Sequence, residues 1–337
     1  MSKKNPKGVP QSISQFMRKP EVSILIPLLL LSIFTAILNP NFLSKSNIAD
    51  TLNYVSLDFM IAAGMTYTII SGGMDLSVGS TVALGGYITG IALIHNIPVF
   101  FAVMLGLSVG MIIGLINGMI IVTFRIPPFI TTLGMMNIVK GIVNVLSKGR
   151  PLFPFPDSFN ALAQTRFFGF PAPVFMAFSL LIAATFVLKN TAFGRCVMAI
   201  GGNESASYTS GIDVKRVKVI TYMITSTLAS FSGILLASKS GTATPGAGEG
   251  YEMNIIAAVI IGGTSLSGGS GSIISTAIGC ALIKVLNNAM VILSVDIYWQ
   301  NIVIGAIIIA AVIIDTIRRQ RTLTGTGARN TKQKQES

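Results

Sequence analysis

The side chains of this 337-residue chain that could do chemistry are few and lie mostly within or beside apolar runs. Two polar stripes recur at helical spacing, where positions i, i+3, i+4 and i+7 share a face. One holds Asn137, Lys140 and Asn144, the other Lys284, Asn287 and Asn288. Amide side chains both donate and accept, which suits a small polar solute. It equally suits hydrogen bonds between helices, with the two lysines reaching toward an interface. Asp75 follows a Gly-Gly pair between apolar runs, where a buried carboxylate is costly and is therefore partnered or functional. It either caps the helix that starts near Leu76 or gates and lines a pathway. Catalysis is hard to assemble from what remains. The single histidine, His95, reads as an interfacial turn residue before Pro98, and no His-Glu-x-x-His occurs. No Gly-x-x-x-x-Gly-Lys-Ser/Thr phosphate loop is present, so any ATP would be held by another protein. Cys196 and Cys280 fall too far apart in topology to form a disulfide or a thiol metal site.

The elements that carry these groups are membrane spans. Hydrophobic residues make up 51% of the chain and charged residues 11%, with a mean hydropathy of +0.73, a balance that excludes an ordinary soluble domain. Runs near 22–38, 51–71, 76–95, 98–123, 129–147, 172–188, 217–238, 272–292 and 297–316 approach the ~20 residues a membrane helix needs. A further run at 251–262 is short and is expected to cross inside the protein, shielded from lipid by its neighbours.

Positive charge supports ten crossings with both termini cytoplasmic. Lys3, Lys4, Lys7, Arg18, Lys19, Arg125, Lys189, Arg195, Lys215, Arg216, Lys218 and the tail residues Arg318, Arg319, Arg321, Arg329, Lys332 and Lys334 then fall inside. Only Lys45, Lys148, Arg150, Arg166 and Lys239 fall outside. The net charge of +12 is thus topogenic, spread along the membrane edge and not gathered on one face as in a nucleic-acid binder. The N-terminal basic stretch lacks a small-residue cleavage site and leads into an uncleaved first helix. The expected architecture is an all-α membrane protein of about ten transmembrane helices. Its parts are a basic N-terminus at 1–21, a transmembrane domain at 22–317 with a polar inner loop near 190–216, and a basic tail at 318–337.

Glycine punctuates the spans twice in the same way. Gly72-Gly73-Met74-Asp75-Leu76-Ser77-Val78-Gly79-Ser80 and Gly262-Gly263-Thr264-Ser265-Leu266-Ser267-Gly268-Gly269-Ser270 agree at six of nine positions, with Ser265 aligned to Asp75. Such helix breaks between membrane-grade runs suggest two related halves around a pathway. Asp75, Ser77, Ser265 and Ser267 join the amide stripes as candidate pathway or gate residues. A four-residue ladder of Gly106, Gly110, Gly114 and Gly118 reads as a packing face. Residues 148–171 carry Phe153, Phe155, Phe159, Phe167, Phe168 and Phe170 among prolines, as an interfacial belt or a cover over the outer mouth.

The most polar interior stretch contains Thr191-Ala192-Phe193-Gly194-Arg195, Gly201-Gly202-Asn203-Glu204-Ser205-Ala206 and Ser210-Gly211-Ile212-Asp213-Val214-Lys215. Taken in order with the two glycine clusters, these motifs closely resemble the ribose-type sugar permeases of bacterial ABC importers, over about 20–317. The resemblance implies a subunit in the bacterial inner membrane that pairs with a second permease copy and docks a two-cassette ATPase using ATP and Mg. It also implies that sugar arrives from an extracytoplasmic binding protein. It makes 190–213 the coupling loop, with Arg195, Gly201, Gly202, Asn203, Glu204, Ser205, Ala206 and Gly211 in that role. From the residues themselves, Asn203 or Ser205 can cap a short helix, Glu204 suits its N-terminal dipole, and Gly211 supplies a left-handed stop. Glu249 and Glu252, near an outer loop, are candidates for docking the binding protein. The rival is a carrier driven by an ion gradient, which would need a buried carboxylate pair or cation cage; Asp58 and Asp75 are the acids that the early spans offer for it.

Overall fold

The structure, a computed structural model, describes residues 20–313 other than 297, 301, 308 and 311. The tail at 318–337 and nearly all of the segment 1–21 lie outside the described residues. Helices dominate: α1 Pro20–Leu38, α2 Lys45–Ile70, α3 Val78–Ile94, α4 Val99–Phe124, α5 Pro128–Ser147 and α6 Asp157–Gln164. After a short ribbon of β1 Arg166–Phe167 and β2 Phe170–Pro171 come α7 Ala172–Asn190, α8 Ala192–Gly202, α9 Glu204–Thr209, α10 Val214–Ser240, α11 Tyr251–Ile261 and α12 Ile273–Ile292. Further helical residues occur between 298 and 313. The ribbon and α6 lie in the loop that the sequence shows only as aromatics among prolines.

Among the described residues, α1, α4, α5, α7, α10 and α12 are long and apolar enough to cross a membrane. Burial separates these helices into an outer and an inner set. Only 11% of the α1 span window is buried, against 56% for α10, so α1 lies at the outside of the bundle while α10 sits among other helices. Helix α2 carries several Thr, Ser, Tyr and Asp side chains, yet every residue from Ser56 to Ile70 is buried. A helix surrounded by protein has no lipid-facing stripe to satisfy, and its Thr and Tyr hydroxyls find partners in its neighbours. Thr68 Oγ1 lies 2.7 Å from Thr225 Oγ1 of α10, and Tyr67 donates to the Ala184 carbonyl of α7 at 2.6 Å.

Helix α10 runs against α2, α3 and α4, and small residues make this possible. A Cβ on Gly110 would strike the Ser226 carbonyl, one on Gly114 the Tyr222 carbonyl and Met223 backbone, and one on Gly118 the Val219 Cα. The glycine ladder of α4 therefore brings two backbones into contact, where Ser230 donates to the Gly106 carbonyl at 2.6 Å. Helix α11 has 11 residues, about 16 Å at 1.5 Å per residue and half of a ~30 Å hydrocarbon layer. It starts after Gly250 at φ 79° and ends before Gly263 at φ 81°, with Ile255–Ile260 buried, so neighbouring protein does shield it from lipid.

Candidate functional site

The first glycine break stops α2 with a Schellman cap. Gly72 N–H donates to Ile69 O at 2.9 Å and Gly73 N–H to Thr68 O at 2.8 Å, with Gly72 at φ 80° as the conformation requires. The chain then turns through Asp75 into α3, whose N-cap is Ser77. Asp75 is fully buried. Its Oδ1 accepts from Ser77 N at 2.9 Å and Ser77 Oγ at 2.6 Å, and its Oδ2 accepts from Ser226 Oγ of α10 at 3.0 Å. Asn117 of α4 donates to Ser77 Oγ at 3.0 Å and approaches Asp75 Oδ1 at 3.5 Å. Tyr222 Oη accepts from Met74 N at 3.2 Å. One carboxylate thus holds the local turn and ties it to α4 and α10. Sequence reasoning missed Asn117 and Ser226; the signal was a lone amide inside the glycine ladder.

The second break repeats the device one residue out of step. Gly263 N–H donates to Ile260 O at 2.8 Å and Thr264 N–H to Val259 O at 3.2 Å, so Gly263, not Gly262, stands where Gly72 stands. This shifts the equivalence expected for Asp75 away from Ser265. The loop to α12 is also longer, and Ser265 and Ser267 shape its turn: Ser265 O accepts from Gly268 N at 3.0 Å, and Ser265 Oγ from Ser267 N at 3.3 Å.

The loop at 190–213 touches both breaks. It folds as α8 and α9, and Gly201 near the end of α8 lies against the Ile70 carbonyl and the Gly269 amide, with no room for a Cβ. Gly269 N in turn donates to Ile70 O at 2.9 Å. Three backbones from α8, the α2 terminus and the second break meet without an intervening side chain. Beyond them, Asn203 caps α9, accepting from Ala206 N at 3.0 Å and Ser205 Oγ at 2.9 Å. Glu204 pairs with Lys218 at 2.5 Å, Gly211 turns the chain at φ 83°, and Asp213 caps α10 through Arg216 N. Arg195, Gly202, Glu204, Ser205, Ala206 and Gly211 are exposed, with Tyr208 the largest exposed side chain of α9 at 73%.

The two amide stripes part company. On α12, Asn288 exchanges hydrogen bonds with Asn47 of α2 at 3.0 and 2.8 Å, and Lys284 pairs with Asp58 at 2.8 Å. Lys284 therefore does not reach for an interface, as the sequence allowed; a carboxylate inside the bundle holds it, between the Tyr54 and Tyr251 rings. The Oδ1 atoms of Asn287 and Asp58 are buried without a hydrogen-bond partner. On α5, by contrast, Asn137, Lys140 and Asn144 are exposed. Lys140 reaches Glu249 at 2.6 Å and holds that carboxyl below its usual range. Glu249 also edges a cavity of about 370 Å³ bounded by Tyr54, Tyr251, Thr242 and Thr244; Glu252 stands half-buried over Gly79.

Residues 47–312 match the family described as branched-chain amino acid transport system / permease component. The chain belongs to this family. Its relatives include the ribose import permease protein RbsC of Escherichia coli strain K12, 38% identical over 299 residues, 88% of this chain and 93% of that protein. RbsC of Bacillus subtilis strain 168 is 39% identical over 290 residues, 86% and 90% of the two chains. The L-arabinose transport system permease protein AraH of Escherichia coli strain K12 is 35% identical over 318 residues, 94% and 97%. No solved structure matches the chain. The protein is thus a multi-pass permease component of a transport system and not an enzyme. In this permease the buried Asp58–Lys284 pair went unread in the sequence, because spacing along one helix says nothing of a partner more than two hundred residues away.

Proposed function

We propose that the chain is the membrane subunit of an ATP-driven importer of monosaccharides, with ribose or a similar pentose as the leading substrate. The observation that carries this reading is likeness to sugar import permeases along nearly the full length of both chains. Two copies of the permease, each with about ten crossings and both termini in the cytoplasm, would enclose the path. Exposed Asn137, Lys140 and Asn144 support it, since a polar stripe on a membrane span is costly against lipid and needs protein or water opposite. A partner ATPase binds ATP and Mg beneath α8 and α9, and an external binding protein delivers sugar to the side bearing Glu249. The breaks and their serines serve as the gate.

Gly201 supports the coupling role, because displacement of α8 is transmitted by backbone contact to the ends of both glycine breaks. Asp58 argues against an ion-driven carrier: Lys284 already neutralises the acid such a site would need. In liposomes, uptake should require the ATPase, the binding protein and ATP; concentrative uptake by the permease alone under a Na⁺ or proton gradient would overturn the reading. Gly201→Ala forces a methyl into backbone, a clash on the order of 1–3 kcal/mol. It should leave ATP hydrolysis in place while uptake falls.

A further inference from the structure

The ribbon between α6 and α7 spends conformational strain on exposing an aromatic ring. Phe167 pairs with Phe170 across a two-residue turn of Phe168 at φ 50° and Gly169 at φ 87°. Both central residues are left-handed, as a type I′ turn demands, and Asn or Gly serves the first position far better than a bulky aromatic. Phe168 occupies it nonetheless, with 95% of its surface exposed. Phe167 and Phe170 flank it and are exposed as well. Among the described residues none covers Phe168, and its neighbours indicate what does.

Helix α7 begins immediately after the ribbon. Its exposed Phe175, Phe178, Ile182 and Phe186 recur every three or four residues down one side, and no charged residue precedes Lys189. This is the face of a lipid-exposed span, unlike the outward face of α5 with its Asn and Lys. The ring of Phe167 stacks edge-on against Phe175 at 5.9 Å and 89°, so the ribbon continues the stripe. Length fixes its depth: 19 residues of α7 extend about 28 Å, barely the ~30 Å of hydrocarbon. The residues just ahead of Ala172 must then lie at the boundary between acyl chains and headgroups, where aromatic rings are favoured and the exposed Arg166 can meet phosphate.

We infer that the Arg166–Pro171 ribbon is a lipid anchor whose turn inserts Phe168 into the bilayer interface and pins the end of α7 at a fixed depth. The test places a reporter at the tip. In a Trp299→Phe background, which removes the one native tryptophan, Phe168→Trp is reconstituted as the full chain in phosphatidylcholine liposomes. Its emission should be blue-shifted and should lose intensity when bromines are placed at shallow acyl positions, more than when they are placed near the chain ends. Phe170→Trp, on extended backbone, gives a second reading should the tip variant fold poorly. Water-like emission insensitive to brominated lipid at both positions overturns the anchor. Emission that is blue-shifted but unaffected by bromine, and that reverts as protein is diluted in lipid, also overturns it and assigns the ribbon to contact with a second copy.

Discussion

Helices α5 and α12 carry almost the same message in sequence, an amide-lysine stripe inside an apolar run, and the fold spends it in opposite ways. On α12 the polar groups turn inward: Asn288 is exchanged with Asn47, and Lys284 is neutralised by Asp58. On α5 the Asn137, Lys140 and Asn144 side chains are exposed, with Glu249 reaching across to Lys140. The difference teaches that a polar stripe marks a place where a span needs a partner, and that only packing reveals whether the partner is within the chain or beyond it.

The largest effect should come from splitting the inner pair. Lys284→Met leaves Asp58 charged and unpaired in the bundle, a loss of about 3–5 kcal/mol by the usual cost of a broken buried pair. Thermal unfolding in lipid nanodiscs should show it, and adding Asp58→Leu should restore most of the stability. A double variant no more stable than the single would mean that the pair does not set the fold. On α5 the expectation reverses. Asn137→Ala with Lys140→Ala should unfold like the parent in detergent yet lower sugar uptake roughly tenfold, the scale of one lost hydrogen bond to a charged group. Equal uptake would remove the outward stripe from the path. The smallest effect is that of Asn288→Ala, on the order of 1 kcal/mol for its two interhelical hydrogen bonds with Asn47 at ~0.6 kcal/mol each in a membrane. Its uptake should stay near normal, and a severe transport defect would erase the contrast between the two helices.

Much of the scaffold could be read ahead because lipid imposes a length on every exposed span. The runs at 129–147 and 272–292 fall within a residue or so of α5 and α12, and the glycine ladder of α4 meets a neighbour as its spacing implied. Caps were legible for the same local reason: Asn203 and Gly211 act within a few residues of themselves. What stayed hidden depends on distance along the chain. Asp58 with Lys284, Asp75 with Ser226, and Gly201 with Ile70 and Gly269 are contacts that no periodicity encodes. The one-residue slip between the glycine breaks was hidden differently. Matching letters aligned Gly72 with Gly262, whereas hydrogen bonds align it with Gly263.

Helix α11 is a short strut with a left-handed glycine at each end, Gly250 and Gly263, where a side chain would be strained. Re-aiming such a strut costs few helical hydrogen bonds. Over its ~16 Å length, a turn of about ten degrees would carry the far tip roughly 3 Å.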